Sequence, residues 1–105
     1  MKDMFNLLKQ AQEMQGQLKK IQEELESAVV TGSAGGGMVT VEANGHGHVQ
    51  RVKIDRSVVN PEDVSELEDL VTVAVADAQK KAKELGELKA AGLTSGLNLP
   101  FKLPF

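Results

Sequence analysis

The side chains best equipped for chemistry in this 105-residue chain are cations set in short clusters. Lys19 and Lys20 are adjacent, Arg51 and Lys53 alternate, and Lys80, Lys81 and Lys83 fall within one helical turn, with Lys9 and Arg56 standing apart. Repeated point charges of this kind suit contact with the phosphates of a polyanion. Each neutralised phosphate releases counterion, and no base need be read. The formal net charge of −3 works against such a role if taken as a global number. The distribution matters more. Residues 57–76 hold five acids and no base, whereas residues 77–105 hold five lysines against three acids. The acidity is gathered in Glu62, Asp63, Glu66, Glu68 and Asp69, leaving the cationic clusters outside it.

Other reactive groups have simpler explanations. His46 and His48 flank Gly47, but no third ligand lies in the same turn to complete a metal set. They read as a solvated turn. The glycine-rich run 32–37 (GSAGGG) lacks the Lys-Ser/Thr of a phosphate-binding loop and leads into a strand, so no helix N-terminus waits for a phosphate. It reads as a flexible link between strands. The carboxylates of 62–69 open a helix and face the positive end of its dipole, which accounts for them without an acid–base pair. Nothing here resembles an active site, and no cofactor, metal or small-molecule substrate is called for.

The elements that must position these groups follow from periodicity. With Met4 at heptad position a, the a/d series runs Met4, Leu7, Ala11, Met14, Leu18, Ile21, Leu25 and Ala28, all apolar. Residues 1–28 are therefore predicted as one helix, roughly 40 Å long. Its stripe needs a second helix, within the chain or across a dimer. Val29–Thr31, Val39/Val41/Ala43 and residues 48–55 read as strands of an antiparallel meander over 29–56. Asn44-Gly45 is a hairpin signal at which both residues tolerate positive φ. Val52 and Ile54 share one face with Gln50, and Val49, Arg51 and Lys53 share the other. A second helix is predicted over 61–91, with Asn60 as N-cap, Pro61 in the first turn and Gly92 at its end. A tail, 92–105, follows. The fold class is α+β, ordered α-β-β-β-α, in a single domain of 1–105.

Composition narrows the function classes. There is no Cys, Trp or Tyr, and the three phenylalanines lie at the ends as Phe5, Phe101 and Phe105. The absence of thiols excludes a disulfide scaffold, a thiolate metal site and a cysteine nucleophile, and agrees with a cytosolic location. No apolar run is long enough for a membrane span, and no signal peptide is expected. An aliphatic middle offers no platform for stacking single-stranded bases. Residue chemistry alone leaves two readings open, a binder of polyanions and a structural homo-oligomer.

Taken together, LKQAQEMQ in the first helix, VTGSAGGGMVTVEANG in the strands, RVKID with SVV after it, EDLVTVAVADAQKKA and the ending LPFKLPF closely resemble the YbaB/EbfC family of nucleoid-associated proteins. The resemblance covers residues 4–105. It implies a cytoplasmic homodimer of tweezer-like outline that binds double-stranded DNA, affects nucleoid organisation and gene expression, and catalyses nothing. The family has no compact contact motif to carry over, so the DNA-contact candidates rest on charge. They are Lys9, Lys19, Lys20, Lys80, Lys81 and Lys83, with Arg51 and Arg56 as second choices. Met4, Leu7, Ala11, Met14, Leu18, Ile21 and Leu25 are the helix-packing and dimer candidates. The alternative is a protein-interaction homodimer that does not touch DNA. Phe101 and Phe105 are expected to anchor the tail on the protein itself.

Overall fold

The computed structural model describes residues 2–97. Helix α1 spans Lys2–Ser27, strands β1, β2 and β3 span Val30–Ala34, Val39–Ala43 and Val49–Ile54, a single 3-10 turn covers Arg56–Val58, and helix α2 spans Val64–Leu97. The three strands form one antiparallel sheet in the order β1-β2-β3. The expected α-β-β-β-α architecture is the one observed. A radius of gyration of 19.6 Å is well above the roughly 13 Å of a compact chain of this size, because the helices project beyond the sheet.

One face of the sheet carries the core. Alternation places Val39, Val41 and Ala43 beneath α2, and all three are fully buried together with Ala74 and Ala78. Alanines at helical spacing on α2 let the helix lie close to the sheet. Gly32, directly across from Val41 in β1, brings the two closer still. The helix crosses β1 and β2 and leaves β3 less covered, so Val52 and Ile54 face the core side yet remain exposed.

Several boundaries move. Asn60 and Pro61 form a turn, closed by the Asp63 N–H donating to the Asn60 carbonyl at 3.0 Å, so the chain enters α2 at Val64 instead of 61. Asp63 caps it, accepting from the Glu66 N–H at 3.4 Å and the Ser65 hydroxyl at 2.9 Å. At the other end α2 passes through Gly86 and Gly92 and continues to Leu97, so neither the stop at 91 nor a tail beginning at 92 holds. A helical glycine costs only about 1 kcal/mol, and Ala90 and Leu93 stay buried on the same face. Phe101 and Phe105, the expected anchors, lie outside the described residues.

Two turns also differ from the sequence reading. Asn44 is buried, and its side-chain oxygen accepts from the N–H groups of His46 and His48, each at 3.0 Å, while Gly47 takes the positive φ. Gly45 has ordinary φ and is required by proximity: its N–H donates to the Leu25 carbonyl at 2.7 Å, and a Cβ there would sit 2.8 Å from Leu25 Cα. A register shift at Glu42/Ala43 sets Val49 opposite Ala43, so Val49 does not share the face of Arg51 and Lys53. The glycine run ends in a tight turn with Gly35, Gly36 and Gly37 all at positive φ, a conformation that suits a defined link more than a loose one.

Candidate nucleic-acid interface

Helix α1 divides into two parts. Leu25 is buried and Leu18, Ile21 and Met14 are half-buried, whereas Met4, Leu7 and Ala11 are exposed. Among the described residues the a/d stripe therefore finds a partner only along its C-terminal part, against α2. Met4, Phe5, Leu7 and Leu8 form an uncovered apolar tip. Lys9, Lys19 and Lys20 are exposed on the same helix, away from the stripe.

The last turns of α1 carry Glu23, Glu24 and Glu26 with no base among them, unfavourable beside the negative end of the helix dipole. The rest of the fold supplies the compensation. Lys89 of α2 pairs with Glu24 at 2.8 Å, and this hydrogen bond, more than the charge itself, holds the Glu24 carboxyl below its ordinary value. His46 sets its Nε2 at 3.2 Å from the Gln22 carbonyl and 3.7 Å from Glu26. His46 is thus docked on α1, a more structural position than a solvated turn. Among the described residues no group of three or more His, Asp or Glu is gathered for a metal ion.

The lysines of α2 differ in their engagements. Lys81 donates to the Thr31 carbonyl at 3.0 Å and lies 3.3 Å from Asp77, whose carboxylate accepts from the Ser33 N–H at 3.0 Å. Asp77 and Lys81 together cover the outer edge of β1 with charged side chains. Lys80 is exposed one residue away. Lys83 lines a cavity between the helices. Arg51 stands opposite Glu42 in the β2–β3 pairing and Lys53 opposite Thr40, on the sheet face that α2 does not cover. Arg56 lies in the 3-10 turn. The cationic candidates are thus spread over both helices and the open face of the sheet. The acidic block begins before α2, and Asp69 lies about 16 Å along the helix from Lys80. Lys89 belongs to the electrostatics of α1 and was not among the sequence candidates; its partner is 65 residues away.

The Asp77 carboxyl is held below its ordinary value of 3.8, first by the Ser33 N–H and then by Lys81. Asp55 is lowered by the Ser57 N–H in the same way. A carboxyl lowered on folding stabilises the protein above its unfolded pKa and stops doing so as pH falls through its folded value. The melting temperature should therefore hold between about pH 7 and pH 5 and fall steadily below about pH 4. Asp77→Asn should melt lower at neutral pH and show a shallower acid decline. An unchanged profile in that variant would remove the β1 edge contact from the account.

A model of the YbaB/EbfC DNA-binding family matches residues 1–97. The chain is 47% identical over 103 residues to a nucleoid-associated protein of Gemmatimonas aurantiaca, covering 98% of this chain and 99% of that one. It is 50% identical over 91 residues to a nucleoid-associated protein of Chloroflexus aurantiacus, covering 87% and 91%. Among solved structures, an uncharacterized protein of Helicobacter pylori superposes with a TM-score of 0.69 at 25% identity, over 89% of this chain and 94% of that one.

Proposed function

Since the chain belongs to the YbaB/EbfC DNA-binding family, we propose that it acts as a homodimer on double-stranded DNA, mainly through phosphate contacts. In doing so it influences nucleoid organisation and gene expression, and it performs no catalysis. The observation that carries this reading is the exposure of Lys9, Lys19, Lys20 and Lys80 on the two helices, with the acidic block of 62–69 apart from them. A two-fold axis supplies each cation twice, which a dimer of formal charge −6 needs if it is to hold a polyanion. Lys9, Lys19, Lys20, Lys80 and Lys83 are the proposed principal contacts, with Arg51 and Arg56 secondary. Lys81 contributes less, because its ammonium already serves Thr31 and Asp77.

Uncovered apolar surface supports the homodimer. Val49, Val52 and Ile54 on β3 are exposed, as are Val73 and Leu88 on α2 and the tip of α1. The same apolar tip favours the second reading, a protein-interaction homodimer without DNA contact. One titration separates the two. Fluorescence anisotropy with a labelled duplex, repeated across salt, should give log affinity falling steeply as salt rises, by about 0.9 per phosphate neutralised. Binding that is absent even at low salt would leave the interaction reading, and salt-independent binding would sink the phosphate contacts. Sedimentation should show a dimer at micromolar protein; a monomer there would remove the doubled charge.

A further inference from the structure

We propose that the cavity between α1 and α2 is a docking groove for the chain's own C-terminal segment, residues 98–105. The cavity measures about 220 Å³, and its apolar wall is made by Leu18, Ile21 and Leu25 of α1 with Ala82 and Ala90 of α2. Gln22, His46, Lys83 and Glu87 supply the polar part of the lining. A void of roughly 150 Å³ is enough to take up benzene, so this one accepts a single phenyl ring.

Gly86 points to an occupant. It also lines the cavity, and a Cβ added there would meet nothing within 4 Å. No neighbour therefore demands a glycine in the middle of a 34-residue helix, where it costs about 1 kcal/mol relative to alanine. Gly16 and Gly92 have the same freedom but are exposed, whereas Gly86 is half-buried and faces the groove. A side chain at 86 would take up space that a docked segment needs.

The segment that follows α2 has the right chemistry and reach. Leu99-Pro100-Phe101 and Leu103-Pro104-Phe105 are two copies of one apolar triplet, separated by Lys102, whose charge complements Glu87. Each proline favours extended backbone in the residue before it. Leu97 lies about 16 Å along the helix axis from Gly86. Eight extended residues cover up to about 27 Å, enough to turn back and place one of the two phenylalanines in the cavity. Lys83 is shared with the proposed DNA contacts, but the test below needs no DNA, so failure of this inference and failure of the salt titration are read separately.

The chain has no cysteine, which makes the test direct. Full-length protein carrying Gln22→Cys and Lys102→Cys should oxidise to a disulfide within one chain, seen at single-chain mass on a non-reducing gel. Its rate should exceed that of a Gln12→Cys, Lys102→Cys control by about tenfold, from the effective concentration of a docked segment. Adding Gly86→Leu should cancel that advantage with helix content unchanged by circular dichroism. Equal rates in pair and control, persistence of the advantage in Gly86→Leu, or a product at twice the chain mass would each overturn the proposal, the last by placing the partner copy's segment in the groove. Fluorinated phenylalanine gives a second measurement with three signals. Phe5, on the exposed α1 tip, is assigned by its loss in Phe5→Leu, and urea-unfolded protein gives the solvent reference. At least one other signal should be displaced from it and return in Gly86→Leu; three signals at the solvent position would also overturn the inference.

Discussion

Replacing Gly32 with alanine should lower the unfolding free energy by about 3 kcal/mol, the upper end of the usual cost of overpacking, because the atoms it meets cannot rotate out of the way. A Cβ at this position would lie 2.7 Å from Ala78 Cα and closer still to Ala78 N and Ala74 O. All three are backbone or Cα atoms of α2, so no rotamer change relieves the clash. The helix must lift from β1, and lifting it opens the contacts that bury Ala34, Val39, Val41, Ala43, Ala74 and Ala78. Domains of this size are stable by only about 5–15 kcal/mol, so the loss is a large share of the total. Urea denaturation at fixed protein concentration measures it, with the concentration held because a dimer's stability depends on it. Gly92→Ala is the control: it lies in α2, the helix that Gly32 packs against, is exposed and has no neighbour within 4 Å, so it should gain up to about 1 kcal/mol. Equal stability of Gly32→Ala and the parent would mean that α2 does not pack as closely as described.

Gly32 also marks where sequence reasoning stops. Placed at the start of a glycine-rich run, it reads as loop, because nothing local distinguishes a glycine needed for a turn from one needed for close approach. Gly45 was legible as a turn residue for the wrong reason, since its neighbour, Leu25, belongs to another element. Alternation at Val39, Val41 and Ala43 and the alanine face of α2 were readable, because a strand's period and a helix's period are local properties. The bulge that moves Val49 was not, because register is decided between strands. The heptad of α1 announced a helix with an apolar stripe, but only packing shows that, among the described residues, its cover by α2 ends near Met14.

The same distinction governs the candidate interface. Charge clusters are visible in sequence, but the engagement of each cation is not. Lys81 reaches Thr31 across 50 residues and Lys89 reaches Glu24 across 65, and neither separation has a sequence signature. Lys80 and Lys81 look equivalent as neighbours, yet one completes the edge of β1 and the other is exposed beside it. Removing the Lys81 charge should thus register first in stability, and removing the Lys80 charge in DNA affinity.

Neutralising Lys19, Lys20 and Lys80 together as glutamine should cost the protein about 10³–10⁵-fold in DNA affinity near physiological salt, since six cations leave the proposed homodimer. Glutamine is chosen because its helix propensity matches that of lysine, which keeps α1 and α2 intact. The slope of log affinity against log salt should become shallower by about five, at roughly 0.9 for each lost phosphate contact. A matched variant, Lys81→Gln, should leave the slope nearly unchanged while lowering the melting temperature, because it vacates Thr31 and Asp77. The two outcomes separate a charge that holds DNA from a charge that holds the fold. If the triple variant binds with the parent's slope, Lys19, Lys20 and Lys80 are not the contacts. The next surface to test is then the open face of the sheet, where Arg51 and Lys53 stand with Arg56 beyond the end of β3. Reversal at Arg51 and Arg56 would then produce the loss. The pair of experiments therefore weighs the central lysines of the helices against the open face of the sheet, and it does so without any assumption about which bases the duplex presents.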